Sequence, residues 1–429
     1  MHSFHYQDRR LFCEEVELAR AAERFGTPLY VYSAGTILDH YRRLDVALAG
    51  LDHLICYAVK ANSNRAILRL LADAGAGFDI VSGGELYRVI RAGGDASKCT
   101  FAGVGKSREE IEYALDQHVY SFNIESEAEL DYVNQIAASK NQRAAIALRV
   151  NPDVAAPTHK YIATGQSENK FGVPLDRAAT VYERAAKMPN IIIRGIQMHI
   201  GSQITEAAPF VDAIETIAPL VGELKSQYAL EFFSIGGGLG IAYESSIASG
   251  RADWWVANRS HPLTIRDYAN AIVSPLEKIG LRILLEPGRL LVGNGGVLLT
   301  RVRYIKESGH KKFAIVDAGM NDLIRPALYG SYHEIVPLKE SHTVTSKIDV
   351  VGPVCESGDF FAQEREMPPV QAGDLLAIMS AGAYGFVMAS TYNSRPLPAE
   401  AIVNGDKIAL IRKRQKLDDL TRGEIDPKW

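Results

Sequence analysis

Short apolar runs, each closing on Gly, Asn, Ser or a charged residue, recur through the first two-thirds of the chain with amphipathic stretches between them. They are PLYVYS (28–33), HLICYAVK (53–60), GFDIVSG (77–83), CTFAG (99–103), SFNIES (121–126), AIALRVNP (145–152), IIIRGIQMHIG (191–201), FFSIGGGLG (232–240) and RILLEPGR (282–289). In the intervening NRAILRLLADAG, Ile67, Leu70 and Leu71 recur at helical spacing, as do Leu86, Val89 and Ile90 in GGELYRVIRAGG. Continuous apolar runs alternating with helical periods predict strands buried on both faces and joined by crossover helices, hence a parallel (β/α)8 TIM-like barrel. Nine runs are one more than such a barrel needs, and the first is the one expected to lie outside it.

After residue 290 the period changes. VGNGGVLLTRVRYIKESGHKKFAIVDAG, ESHTVTSKIDVVGPV, DLLAIMSAGAYGFVM and AIVNGDKIALIRKR are β-branched stretches broken by turns. They predict a second, mostly antiparallel β-domain over 290–429. The expected division is therefore 1–27, an N-terminal segment joining the β-domain; 28–289, the α/β barrel; and 290–429, the β-domain. With 429 residues, more than one core is expected.

Composition narrows the function classes. Lys and Arg number 47 against 51 Asp and Glu, a formal charge of −4 with no long block of one sign, so neither a nucleic-acid surface nor a polybasic membrane surface is indicated. The N-terminal MHSFHYQDRRLFCEEVELAR lacks the apolar core of a signal peptide, and no run approaches a membrane span. A soluble cytoplasmic protein is expected. Cys13, Cys56, Cys99 and Cys355 are widely spaced and form no CxxC pair, so no metal cluster and no disulfide framework is expected.

The chemistry-bearing residues sit where the runs end, at the face that carries active sites in barrels of this kind. Lys60 closes one run. A lysine there is paired, exposed, or used as an amine nucleophile toward a carbonyl. Gly236, Gly237, Gly238 and Gly240 read equally as a tight turn or as a backbone cradle for an anion. Glu286 and Arg289, in LLEPGR, read as a loop-closing ion pair or as site residues, and His199 in MHIGSQ as a core histidine or a ring partner. Taken together, an amine, an anion cradle, an acid and an imidazole match the needs of pyridoxal 5'-phosphate: an aldehyde for Lys60, a phosphate for the glycines and a ring nitrogen for Glu286.

YAVKANSN, FDIVSGGEL, RVNPDV, ENKFGV, MHIGSQ, GGGLGIAY, EPGR, RPALY, VVGPVCESGD and GAYG followed by TYNSRP occur in order over residues 25 to 405. Through these motifs the chain resembles the diaminopimelate decarboxylases, in the alanine racemase-like, fold-type III class of pyridoxal-phosphate enzymes. The resemblance implies decarboxylation of meso-2,6-diaminopimelate to L-lysine and CO2 by a head-to-tail homodimer with shared sites. It implies that Lys60 forms the Schiff base, that His199 stacks on the pyridine, and that Glu286 bonds its nitrogen. Ser202, Gly237, Gly238, Gly240 and the turn Glu286, Pro287, Gly288, Arg289 would hold the phosphate. Cys355 of the partner subunit would return a proton to Cα. Arg289, Arg325 and Tyr329 would bind the far carboxylate, Glu356 the far ammonium, and Tyr384 both cofactor and substrate.

Other functions fit less well. An ornithine, arginine or carboxylated-polyamine decarboxylase would change the far-end residues, ornithine-type enzymes having aspartate where Glu356 stands. A racemase would place arginine where Glu286 stands, and a non-catalytic pyridoxal-phosphate carrier would lack the second domain. Two stretches are not explained by the motifs. The polar loop 152–172 suggests a lid. The loop 245–262 carries Trp254 and Trp255, read either as ring anchors or as an interface.

Overall fold

A computed structural model of the chain describes residues 1–154, 170–258, 261–341 and 343–429, and the loop expected to act as a lid lies for the most part outside them. The described chain forms two compact units, one of residues 38–241 with 262–291, the other of residues 1–37, 242–261 and 292–429.

The first unit is the barrel. Its eight parallel strands are His53–Ala58, Gly77–Ile80, Cys99–Phe101, Ser121–Ile124, Ala144–Asn151, Ile191–Gln197, Phe232–Ser234 and Arg282–Leu285, each paired with the next. The ring closes where Ile283, Leu284 and Leu285 pair with His53, Leu54 and Ile55. The runs are uninterrupted because both faces of each strand are covered: side chains fill the ring and helices cover the outside. Arg65–Asp73 buries Ile67, Leu68 and Leu71, with Leu70 on its flank, and Asn64 caps its start by accepting the Ala66 N–H at 2.9 Å. Arg108–Asp116 begins with a capping box in which Ser107 and Glu110 satisfy each other's backbone N–H groups.

The second unit is built on a sheet ordered Phe360–Met367, Ser346–Val351, Lys311–Val316, Gly296–Ser308, Leu29–Ser33, Ala399–Asn404, Lys407–Arg412. Most pairings are antiparallel, but Lys311–Val316 runs parallel to Ser346–Val351, and Leu29–Ser33 parallel to Ala399–Asn404. A three-stranded meander from Phe4 to Glu17 adds Phe4, Leu11 and Cys13 to a core that includes Leu29, Val31, Val297, Leu299, Met379, Ala401 and Val403.

The first apolar run does lie outside the barrel, as the count of nine required. The expected boundaries at 28 and 290 shift with it. Leu29–Ser33 is buried throughout and pairs with Gly296–Leu299 on one side and Ala399–Val403 on the other, so the β-unit takes in residues 1–37. It also takes in 242–261, the stretch after the glycine turn. There Trp255 anchors the loop: its indole N–H donates to the Ser249 carbonyl at 2.7 Å, with Trp254 packed edge-on against it.

Candidate active site

In the barrel unit, Lys60, His199, Gly236 to Gly240, Glu286 and Arg289 all follow the C-terminal ends of strands. Lys60 lies on a single 3-10 turn, Val59–Ala61, just past His53–Ala58. It is both paired and accessible: Nζ is 3.2 Å from Asp79 Oδ2, and the side chain remains 42% exposed. Asp79, from Gly77–Ile80, is buried, and burial raises its pKa against the opposing pull of Lys60. Its Oδ1 has no hydrogen-bond partner among the described residues.

Glu286 is the most constrained group. Its Oε1 accepts the Ser234 hydroxyl at 2.7 Å and its Oε2 the Gln197 amide N–H at 3.0 Å. Desolvation, reinforced by the charge of Asp79, pushes its pKa up to about 7. This acid carries its charge at neutral pH only at a cost, and a cation brought against it would relieve that cost.

His199 accepts the Gly237 N–H on Nδ1 at 3.2 Å, which places the ring proton on Nε2. Part of the ring stays accessible, yet desolvation first, then the charges of Arg149 and Lys60, hold its pKa well below the ordinary imidazole range. The result is a neutral ring. Arg149 is itself buried, with Nη1 bonded to both Glu125 oxygens at 3.2 Å and Nη2 without a partner among the described residues.

The glycine turn is dictated by backbone crowding. A Cβ on Gly237 would lie 2.3 Å from the Glu286 carbonyl oxygen, and one on Gly238, at φ +118°, 2.7 Å from that of Gly201. Three strand ends thus meet too closely for side chains. Gly237 directs its N–H to His199 and Gly240 to the Ile204 carbonyl, leaving the Gly238 N–H unpartnered among the described residues. Arg289 Nη2 donates to Ser202 Oγ at 3.1 Å. Pro287 and Gly288 make the turn that carries Arg289: the Pro287 carbonyl accepts the Ala58 N–H at 3.0 Å, and Gly288 leaves no room for a side chain beside Ala61.

The other site residues belong to the β-unit. Arg325 and Tyr329 share the short helix Arg325–Tyr329, and Arg325 is buried rather than a surface loop charge. Cys355 is exposed, unlike the three buried cysteines, and its N–H donates to Asn393 Oδ1 at 3.0 Å. Glu356 accepts the Tyr392 hydroxyl. Tyr384 has φ +56°, a backbone conformation that a bulky residue keeps only where its surroundings impose it. Asp79, Gln197, Ser234, Arg149 and Asn393 were not singled out from the sequence, although all five sit in or beside quoted motifs.

Residues 34–293 match the family model described as "Pyridoxal-dependent decarboxylase, pyridoxal binding domain", which defines the class as a pyridoxal-phosphate-dependent decarboxylase. The chain is 48% identical over 425 residues to a diaminopimelate decarboxylase of Pseudomonas aeruginosa, covering 99% of each, and 45% identical to one of Aquifex aeolicus, covering 98% of this chain and 97% of that one. The crystal structure of the Helicobacter pylori diaminopimelate decarboxylase complexed with L-lysine superposes with a TM-score of 0.88 at 40% identity, covering 95% of this chain and 98% of that one. The chain belongs to the diaminopimelate decarboxylase family of carboxy-lyases.

The residues present fit the cofactor of that class. A ring with a positive nitrogen, a carbonyl and a phosphate would suit the under-compensated Glu286, the accessible Lys60 amine and the Gly238 N–H. Among the described residues no helix is long and apolar enough to cross a membrane.

Proposed function

We propose that the protein decarboxylates meso-2,6-diaminopimelate to L-lysine and CO2. The observation that carries this reading is the buried Glu286 carboxyl, bonded by Ser234 and Gln197 and poised near neutrality, in the same barrel mouth as the Lys60–Asp79 pair. Pyridoxal phosphate supplies an electron sink for the pair left behind when CO2 departs. Everything else falls to the chain. Lys60 would hold the cofactor through its amine, and Asp79 fixes where that amine rests. Glu286 would bond the ring nitrogen and favour its protonated form. Neutral His199 offers an uncharged ring face. Ser202, Gly237, Gly238, Gly240, Pro287, Gly288 and Arg289 would form the phosphate end, with the Gly238 N–H and the Ser202 hydroxyl as donors and Gly237 acting through His199.

The β-unit supplies proton and specificity. Cys355, from the other subunit of a head-to-tail homodimer, returns the proton to Cα; an exposed thiol on an anchored backbone suits that role. Arg289, Arg325 and Tyr329 bind the far carboxylate, Glu356 the far ammonium, and Tyr384 contacts cofactor and substrate. Guanidiniums favour carboxylates through paired, charge-assisted bonds, and Glu356 supplies the complementary charge. A cytoplasmic place of action belongs to the same reading and is checked by cell fractionation.

The direct test incubates protein and pyridoxal phosphate with meso-diaminopimelate, LL-diaminopimelate, ornithine and arginine, following CO2 and lysine. Lysine from the meso compound alone is the expected result. Turnover of ornithine or arginine instead would retain the cofactor assignments and overturn the far-pocket ones.

A further inference from the structure

His333 is completely buried in the β-unit, four residues past the helix that carries Arg325. Its Nδ1 lies 2.8 Å from the Met379 carbonyl oxygen and its Nε2 lies 3.0 Å from Arg325 Nη1. A carbonyl oxygen only accepts, so Nδ1 bears the proton. A guanidinium only donates, so Nε2 presents its lone pair. The two contacts together select one neutral tautomer and point its single acceptor at Arg325.

The guanidinium is oriented from further directions. Its Nη2 donates to Ser331 Oγ at 3.3 Å, and its Cζ stands 4.9 Å from the centre of the Tyr243 ring. Tyr243 in turn meets the His333 ring at 5.3 Å, almost perpendicular. The imidazole is held by the backbone around it: the His333 carbonyl accepts from Arg365 Nη1 at 2.9 Å, and the Glu334 carbonyl accepts the Met379 N–H at 2.8 Å. An imidazole acceptor fixes the plane of a guanidinium without bringing a negative charge of its own, as a carboxylate would. That is the kind of support a cation needs if its charge is to be met by a ligand.

We propose that His333 is the positioning residue that sets the orientation of Arg325 toward the substrate carboxylate remote from the reacting carbon, and so helps the enzyme select a dicarboxylic amino acid. The proposal rests on the reading of Arg325 given above. His333 acts through Arg325 and touches neither the cofactor nor the reacting atoms, so its loss belongs in substrate binding rather than in the chemical step.

The experiment compares His333→Asn, His333→Gln and Arg325→Gln in the cofactor-loaded enzyme, measuring kcat and KM for meso-diaminopimelate along with the bound cofactor's visible spectrum. Asparagine can place an N–H near the Nδ1 position, keeping the bond to Met379 but offering Arg325 no acceptor. Glutamine can place its amide oxygen near the Nε2 position and restores the acceptor. The expected result for His333→Asn is a rise in KM of about tenfold, equivalent to about 1.4 kcal/mol, with kcat and spectrum nearly unchanged. His333→Gln should return KM to within about threefold of the parent. An unchanged KM in His333→Asn, or equal rises in both variants, overturns the proposal. If His333→Asn does not fold, His333→Gln decides alone, and a tenfold rise in its KM counts against the idea. Arg325→Gln separates the two levels: if its KM does not rise, the far-carboxylate reading itself fails, whereas a rise there with none in His333→Asn removes only the role of His333.

Discussion

The side-chain oxygen of Asn393 accepts the backbone N–H of Cys355 at 3.0 Å, tying the exposed thiol to a residue that itself adopts a left-handed conformation, φ +54°. Asparagine is among the few residues that tolerate that conformation while offering an acceptor. If Cys355 delivers the proton, its removal and the removal of its anchor should have graded effects. Cys355→Ala should keep the cofactor and lose roughly a hundredfold or more in kcat, in the range of lost acid-base groups. Asn393→Gly, which keeps the backbone and drops the acceptor, should lose less. Steady-state kinetics in the presence of excess cofactor measure both, and near-normal turnover by Cys355→Ala would remove that residue from the role.

Lys60→Ala should abolish covalent attachment of the cofactor without unfolding the barrel, because the side chain is accessible and its turn is secured by neighbouring backbone bonds. Trapping by borohydride followed by mass measurement checks this: the parent should gain the reduced cofactor on the peptide containing residue 60, and the variant should not.

Glu286 gives the cofactor-free protein a definite pH dependence. Its pKa rises from 4.5 to about 7 on folding, so between those values the folded state holds more protons than the unfolded one. Its contribution is therefore present at low pH and lost as pH rises through about 7, with a span of about 1–3 kcal/mol. Glu286→Gln should flatten that part of the curve and make the cofactor-free protein more stable at pH 8, while severely reducing activity. Denaturant melts across the range from pH 5 to pH 8 test the sign: a parent whose Glu286-dependent stability increases with pH would contradict it.

Gly237→Ala should be costly although it adds a single methyl group. The new atom would lie 2.3 Å from the Glu286 carbonyl oxygen, a backbone atom that cannot rotate away. A loss of about 2–4 kcal/mol is expected, as for other overpacked sites. Thermal unfolding with and without pyridoxal phosphate would show it, and the cofactor should recover little, since the displaced strand end also carries Glu286.

The barrel was legible because its strands are short apolar runs with Lys60, His199 and Glu286 standing where the apolar character stops. The same feature left the first run to be placed by the count of nine alone. Every residue of Leu29–Ser33 is buried, so nothing within it distinguishes a barrel strand from the centre of another sheet, and only its partners decide. Asp79, Gln197 and Ser234 carry no such signal for a related reason: a polar residue inside a buried run acquires its meaning from the atom opposite, which in each case comes from the end of a different run. His333, in GSYHEI, carries no local signal at all. The stretch 242–261 continues the glycine turn in sequence, yet Ile247 N–H donates to Glu334 and Ser246 Oγ meets Ser380 Oγ, contacts made to residues far along the chain.

The placement of Leu29–Ser33 between Gly296–Leu299 and Ala399–Val403 has a consequence for how the protein is made. On a ribosome the barrel has its last strand once residue 285 has emerged, whereas this run, though it can gain one neighbour from Gly296–Leu299, must wait with its other edge unsatisfied until residue 403 is available. A run made before the barrel is thus among the last to find its place. A message cut short after the barrel would yield a closed ring of strands preceded by a bare, aggregation-prone strand.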